Sequence, residues 1–188
     1  MGLDLDNILA DFVSTFLEFV YVKTGERYRV AEIKDYSLQK ALGMSEPLMD
    51  TILNEFNNEN KWKDIPLIED ARRFIDELKK MRKSIVVVTS RPSVSVFETR
   101  RWFIKNRILV DDILVADRTP KSRVIRKSGY KFDFFVDDGL HFAFDISKVV
   151  QRVYLLTCPW NMKNSFKSHR VIRIKKLSEI LKIEKDNL

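Results

Sequence analysis

The sequence is poor in cysteine, histidine, glycine and proline, and these shortages exclude several classes of protein. Its 188 residues include one cysteine, Cys158, and two histidines. A single cysteine cannot form an internal disulfide, which fits a reducing cytoplasm. The cysteine and the histidines are also too few and too scattered for a zinc site. With only five glycines and five prolines, the chain shows no low-complexity segment.

Long hydrophobic runs are also missing. No apolar run approaches the roughly 20 residues that a membrane-spanning helix needs. The N-terminus lacks the basic region and long apolar stretch of a signal peptide. We therefore expect a cytoplasmic protein that does not contact a membrane.

Acidic residues are fewer than basic ones: the chain has 27 Asp and Glu and 34 Lys and Arg, so its net charge is +7. Much of the excess lies in residues 118–131 and 170–185. Such a charge can indicate nucleic-acid binding. No nucleic-acid motif accompanies it here, so we favour a basic surface that attracts anionic metabolites.

The apolar pattern predicts an α/β fold. With 45% hydrophobic and 32% charged residues, the chain can bury a core of ordinary size. Short apolar segments occur at 1–5, 85–88, 113–115, 132–136, 153–156 and 171–174. Helical patterns separate the later segments, for example the spacing of Val94, Phe97 and Ile104. Alternating strands and helices predict a Rossmann-like parallel sheet with helices on both faces, and a ligand beyond the carboxyl ends of the strands.

One long stretch after the first strand interrupts this alternation. Residues 12–66 contain no convincing strand, but two helical patterns. The first pattern stops near Gly25, and the second has Ser45 as its N-cap, ahead of Pro47. We therefore predict a small helical cap at 12–66, inserted into an α/β core formed by residues 1–11 and 67–188.

Polar and charged residues follow four of the predicted strands. They are, in chain order, Asp4, Asp6, Thr89, Ser90, Lys121, Asp137 and Asp138. Asp4 and Asp6 point to the same side of an extended segment, and two anions so close require a cation such as Mg²⁺ or a raised pKa. By itself this pair would more often be a solvated turn. Carboxylates, a hydroxyl and a cation together suit metal-assisted phosphoryl transfer, because the phosphate must be neutralised before a carboxylate can approach it.

This order of motifs resembles the haloacid dehalogenase (HAD) superfamily of phosphatases over residues 4 to 138. A finer resemblance is to its 5′(3′)-deoxyribonucleotidase branch. The run D-L-D-N-I-L-A-D-F at 4–12 is close to D-x-D-G-V-L-A-D-F, and T-S-R-P at 89–92 is close to T-S-P. C-P-W-N at 158–161 resembles the proline-aromatic-asparagine loop of this branch. The branch also carries its helical cap between the first two motifs.

The resemblance implies roles for the carboxylates. Asp4 would attack phosphorus and form an aspartyl-phosphate intermediate. Asp6 would protonate the leaving oxygen and then deprotonate the hydrolytic water. Mg²⁺ would be held by Asp4, the backbone carbonyl of Asp6 and Asp137, with Asp138 as a further ligand or as a partner of one.

The resemblance also implies contacts to the substrate. Thr89 and Lys121 would bind the transferring phosphoryl group, with Ser90 assisting. Phe12 and Trp62 are candidates for contacts to a nucleotide base. For Phe12, a place in the hydrophobic core is the alternative.

Three residues leave alternatives open. Asn7 replaces the glycine of the family motif, and asparagine tolerates the left-handed conformation better than most residues. Arg91 interrupts the T-S-P motif and could either contact the substrate or point away from it. Asp138 could cap the helix that begins at Leu140.

We therefore expect a Mg²⁺-dependent phosphomonoester hydrolase acting on a nucleoside monophosphate, a 5′-nucleotidase. Two alternatives are a HAD phosphatase for another small metabolite, such as a sugar phosphate, and a non-catalytic basic module that binds nucleic acid. The complete set of motif residues argues against the second. A homodimer is compatible with the sequence.

Overall fold

The computed structural model describes residues 1–185. Its six strands are β1 (Gly2–Leu3), β2 (Val86–Thr89), β3 (Asp112–Val115), β4 (Phe135–Asp137), β5 (Val153–Leu156) and β6 (Val171–Ile174). They form one sheet in the order β3-β2-β1-β4-β5-β6, and each neighbouring pair is parallel. The predicted parallel sheet is therefore confirmed.

Helices connect the strands. They are α1 (Phe12–Thr24), α2 (Leu38–Ala41), α3 (Glu46–Asn58), α4 (Glu69–Lys80), α5 (Val96–Lys105), α6 (Lys121–Ser128), α7 (Leu140–Ile146) and α8 (Leu177–Lys185). Short 3-10 helices lie at Val30–Glu32, Lys61–Asp64 and Ser93–Ser95. Within the described residues, no helix is long and apolar enough to cross a membrane.

The two faces of the sheet bury different hydrophobic clusters. Successive strand residues point to opposite faces, so Val87 belongs to one cluster and Val88 to the other. The first cluster includes side chains of α1, α3, α4, α5 and α8, and the second includes side chains of α6 and α7. Helices thus cover both faces, as predicted.

The residues between β1 and β2 leave the sheet and return to it. β1 and β2 are neighbours in the sheet, although more than 80 residues separate their first residues. The segment that leaves β1 and the segment that returns toward β2 lie side by side. Asp11 N–H donates to Pro66 O at 2.9 Å, and Ile68 N–H donates to Leu9 O at 2.8 Å. We call residues 12–66 the helical insertion. Its division from the core as a separate cap domain stays a prediction.

The termini of several elements match their sequence signals. β5 and β6 lie where the apolar pattern predicts them. α1 is followed by Gly25 in the left-handed conformation, with φ of 78°. α3 follows Ser45 as predicted, although the Ser45 side chain makes no capping hydrogen bond. β1 is shorter than the predicted segment 1–5, because its paired register with both neighbours covers only two residues.

Candidate active site

Asp4 and Lys121 meet beneath the carboxyl edge of the sheet. Asp4 directly follows β1, and its N–H donates to Val136 O at 2.9 Å. Lys121 is the first residue of α6, and its side chain is fully buried. Its Nζ lies 2.9 Å from Asp4 Oδ1 and 2.8 Å from Asp137 Oδ2. The lysine therefore bridges the ends of β1 and β4.

Three buried carboxylates lie close together, and the Lys121 ammonium group binds two of them, Asp4 and Asp137. Asp4, Asp137 and Asp138 each offer an oxygen, and these oxygens lie within 4.8 Å of one another. Burial, together with repulsion by Asp137, raises the pKa of Asp4 to about 7 despite the attraction of Lys121. Burial and its acidic neighbours also raise the pKa of Asp138 well above its usual value. Burial opposes the charge of Lys121, but Asp137 and Asp4 outweigh this effect and raise its pKa.

This cluster fits a divalent cation. Three carboxylates and one ammonium leave two negative charges uncompensated when all are ionised. The side-chain oxygen Oδ1 of Asp138 is buried and has no hydrogen-bond partner. Oxygen ligands of this kind suit a hard cation, and an unpaired buried oxygen is costly unless a ligand or water satisfies it.

Asn7 connects the first loop to the second acidic pair. It adopts φ of 62°, so the left-handed conformation expected of this residue is observed. Its Nδ2 donates to Asp138 Oδ2 at 3.0 Å, and its Oδ1 accepts from Val13 N–H at 3.1 Å. One side chain thus joins Asp138 to the start of α1.

The backbone around Asp138 is also held in place. Trp160 Nε1 donates to Asp138 O at 3.2 Å, and Asn161 Nδ2 donates to the same oxygen at 2.8 Å. Gly139, rather than Asp138, is the N-cap of α7, and its N–H donates to Asp137 Oδ1 at 2.8 Å. Asp138 therefore does not cap the helix, because its side chain is turned toward Asn7.

Asp6 does not join the carboxylate cluster. It faces a cavity between the sheet edge and the helical insertion, where Arg91 binds it through two nitrogens. The sequence left open whether Arg91 contacts the substrate or points away from it, and a contact with Asp6 was not among these alternatives. Thr89 lies at the end of β2, and its Oγ1 accepts from Arg91 N–H at 3.2 Å. Ser90 is exposed and lines the same cavity.

The cavity has a volume of about 740 Å³ and one aromatic wall. Phe12 and Trp62 both line it, and their rings stack with centroids 5.4 Å apart and an interplanar angle of 9°. Trp62 Nε1 donates to Asn57 Oδ1 at 3.3 Å. Phe12 also packs on Phe16, which is fully buried, so Phe12 forms the boundary between the core and the cavity.

The family of the chain follows from its sequence. The family described as 5′ nucleotidase, deoxy (Pyrimidine), cytosolic type C protein matches residues 1–180. The chain belongs to this family. It is therefore a HAD-type phosphatase, and Asp4, Asp137 and Asp138 form a cluster that could hold a metal. No curated protein sequence matches the chain.

Solved structures share the fold of this phosphatase at low sequence identity. A protein described as a predicted phosphoglycolate phosphatase from Haemophilus somnus 129PT is 18% identical, with a TM-score of 0.66 over 97% of this chain and 96% of its own. A haloacid dehalogenase-like hydrolase from Streptococcus pneumoniae is 14% identical, with a TM-score of 0.65 over 97% and 96%. The HAD hydrolase YfnB from Bacillus subtilis, described as bound to magnesium, is 12% identical, with a TM-score of 0.65 over 98% and 97%.

Motif analysis of this phosphatase missed Tyr36 and the polar residues of α3, which the helical insertion brings to the cavity. Tyr36 lies beside His141, with ring centroids 4.6 Å apart, and lines the cavity. On α3, Asp50, Asn54 and Asn57 also line the cavity. Their spacing of three and four residues is a helical-face signal that could have indicated this row, whereas no motif includes Tyr36.

Proposed function

We propose that this phosphatase hydrolyses nucleoside 5′-monophosphates in the cytoplasm, through an aspartyl-phosphate formed on Asp4. One observation carries the proposal: the stacked Phe12 and Trp62 line a cavity that begins at Asp6, above the buried cluster around Asp4. The partly buried Phe12 ring offers a flat aromatic surface that suits a nucleobase, and Trp62, which is only 5% exposed, packs against that ring. The cytosolic description of the family and the single, buried cysteine support the proposed location.

In the first step, a carboxylate oxygen of Asp4 forms a bond to phosphorus, and the bond from phosphorus to the nucleoside oxygen breaks. The electron pair of that bond stays on the nucleoside oxygen, which takes the proton of Asp6. Asp6 therefore enters this step in its acid form and leaves it as the carboxylate that Arg91 binds. In the second step, a water oxygen attacks phosphorus and passes a proton to Asp6. The bond between Asp4 and phosphorus breaks, which restores the carboxylate and releases phosphate.

Asp4, Asp137 and Asp138, with the backbone carbonyl of Asp6, would hold Mg²⁺. A bound Mg²⁺ would supply positive charge against the anionic phosphoryl group. The buried Lys121 contributes a fixed positive charge beside Asp4, and the Thr89 hydroxyl keeps its proton free to donate while its oxygen accepts from Arg91. Lys121 and Thr89, assisted by Ser90, are therefore our candidates for contacts to the phosphoryl oxygens.

The test is a screen of phosphomonoesters with Mg²⁺ and with EDTA, using nucleoside 5′-monophosphates, sugar phosphates and p-nitrophenyl phosphate. We expect hydrolysis of nucleotides at the highest kcat/KM, loss of activity in EDTA and its return with Mg²⁺. A preference for sugar phosphates would instead favour the polar row of α3 as a hydroxyl-binding surface.

A nucleophile variant tests the role of Asp4. We expect Asp4→Asn to abolish turnover while the protein stays folded, because an amide cannot form the phosphoenzyme. The matched control is Asp70→Asn on the exposed first turn of α4, which should keep full activity. Undiminished turnover by Asp4→Asn would refute the nucleophile assignment.

A further inference from the structure

Arg91 makes three hydrogen bonds to the side chain of Asp6. Its Nε lies 3.1 Å from Oδ1 and 3.0 Å from Oδ2, and its Nη2 lies 2.7 Å from Oδ1. The arginine side chain is only 1% exposed, whereas the Asp6 side chain is 19% exposed. A guanidinium that binds both oxygens of a carboxylate fixes its rotation as well as its position.

Arg91 itself is anchored from two other directions. Its Nη1 donates to Thr99 Oγ1 in α5 at 3.3 Å, and its guanidinium carbon lies 4.9 Å from the centre of the Trp62 ring. Trp62 in turn stacks on Phe12. Thr99 of α5 and Trp62 of the cavity wall therefore hold the arginine, and the arginine holds Asp6.

The two carboxylates of the first motif consequently face different surroundings. Asp4 is buried with Lys121, Asp137 and Asp138, whereas Asp6 faces the cavity. In the proposed reaction phosphorus lies beside Asp4, and the leaving group extends into the cavity. The leaving oxygen therefore lies on the side to which Asp6 is turned.

We propose that Arg91 is a positioning residue that orients the Asp6 carboxylate toward the leaving oxygen of the substrate. This inference rests on the proposed function and adds a role for a residue that interrupts the motif. Without Arg91, Asp6 could rotate about its side-chain bonds, and the carboxylate left after proton transfer would have no guanidinium to compensate its charge. Lysine would keep the charge, but it lacks the planar fork that binds both oxygens.

Substrates with different leaving groups test this role. A nucleoside alkoxide needs a proton in order to leave, whereas p-nitrophenolate leaves without one. We therefore expect Arg91→Met to lower kcat for a nucleoside 5′-monophosphate by about 10²-fold more than kcat for p-nitrophenyl phosphate. Arg91→Lys should give an intermediate ratio, and Arg101→Met, on the exposed part of α5, should leave the ratio unchanged.

A double mutant separates positioning from a general structural effect. If Arg91 acts through Asp6, Arg91→Met should cause little further loss of nucleotide kcat in an Asp6→Asn background. Circular dichroism and urea unfolding check the fold of each variant. If Arg91→Met does not fold, Arg91→Lys replaces it in the comparison of the wild-type and Asp6→Asn backgrounds. Equal losses for both substrates, additive losses in the double mutant or a gain in activity would overturn the inference. If the wild-type protein hydrolysed neither compound, the proposed function would fail and this inference with it.

Discussion

At the scale of single residues, Asn7 combines a backbone requirement with two side-chain bonds. Its φ of 62° suits glycine or asparagine, and its amide joins Asp138 to Val13. Asn7→Gly keeps the conformation but loses both bonds, so we expect it to lower the free energy of unfolding by about 2 kcal/mol. Asn7→Ala should cost about 1 kcal/mol more, because an L side chain disfavours this conformation. Urea unfolding of the metal-free protein measures both values.

The comparison of the two variants is the control for this prediction. Equal stabilities of Asn7→Gly and Asn7→Ala would show that the left-handed conformation contributes nothing. A stability of Asn7→Gly equal to that of the wild type would show that the bonds to Asp138 and Val13 contribute nothing.

At the scale of elements, α5 shows that a periodic pattern can identify a helix without identifying its buried face. The helix exists as predicted, but Phe97 is 67% exposed and Ile104 is 76% exposed. The buried apolar side chains are Trp102 and Phe103, and Trp102 Nε1 donates to Ile65 O of the helical insertion at 2.6 Å. The insertion thus determines which face is covered.

Two phenylalanines of α5 test this orientation. Phe103→Ala should cost about 3–5 kcal/mol, because it removes a large side chain from the core. Phe97→Ala should change stability by about 0.5 kcal/mol or less, as expected for an exposed position. Urea unfolding of the two variants measures the difference, and a larger cost for Phe97→Ala would mean that the apolar face of α5 is covered in solution.

Local patterns predict where elements lie but not which side chains meet, and this difference explains how much of the site could be predicted. Parallel strands end at one edge of a sheet, so the order of strands along the chain was enough to predict that Asp4, Lys121 and Asp137 lie close together. The partner of each side chain depends on loops and rotamers that no local pattern encodes. Arg91 meets Asp6 across 85 residues of sequence, and Tyr36 reaches the site from the insertion. These contacts could be identified only from the structure.

At the scale of the whole molecule, a basic protein encloses a strongly acidic centre. The net charge is +7, yet the carboxylates of the buried cluster outnumber its single lysine. Burial raises the pKa of Asp4 from 3.8 to about 7, so the folded protein binds a proton more tightly than the unfolded chain does. Between about pH 4 and pH 7, the contribution of Asp4 to the free energy of unfolding of the metal-free protein should therefore fall as pH rises.

Magnesium should reverse this loss of stability. A divalent cation replaces the proton in balancing the cluster, so Mg²⁺ binds weakly while Asp4 is protonated and strongly once it is ionised. We expect Mg²⁺ to raise the Tm more at about pH 8 than at about pH 5, as measured by thermal unfolding with and without EDTA. The Asp4→Asn protein is the control, since its amide does not titrate and its stability should depend less on pH in this range. An equal rise in Tm at both pH values would mean that Mg²⁺ binds without displacing the proton of Asp4, and that the cluster does not hold the ion.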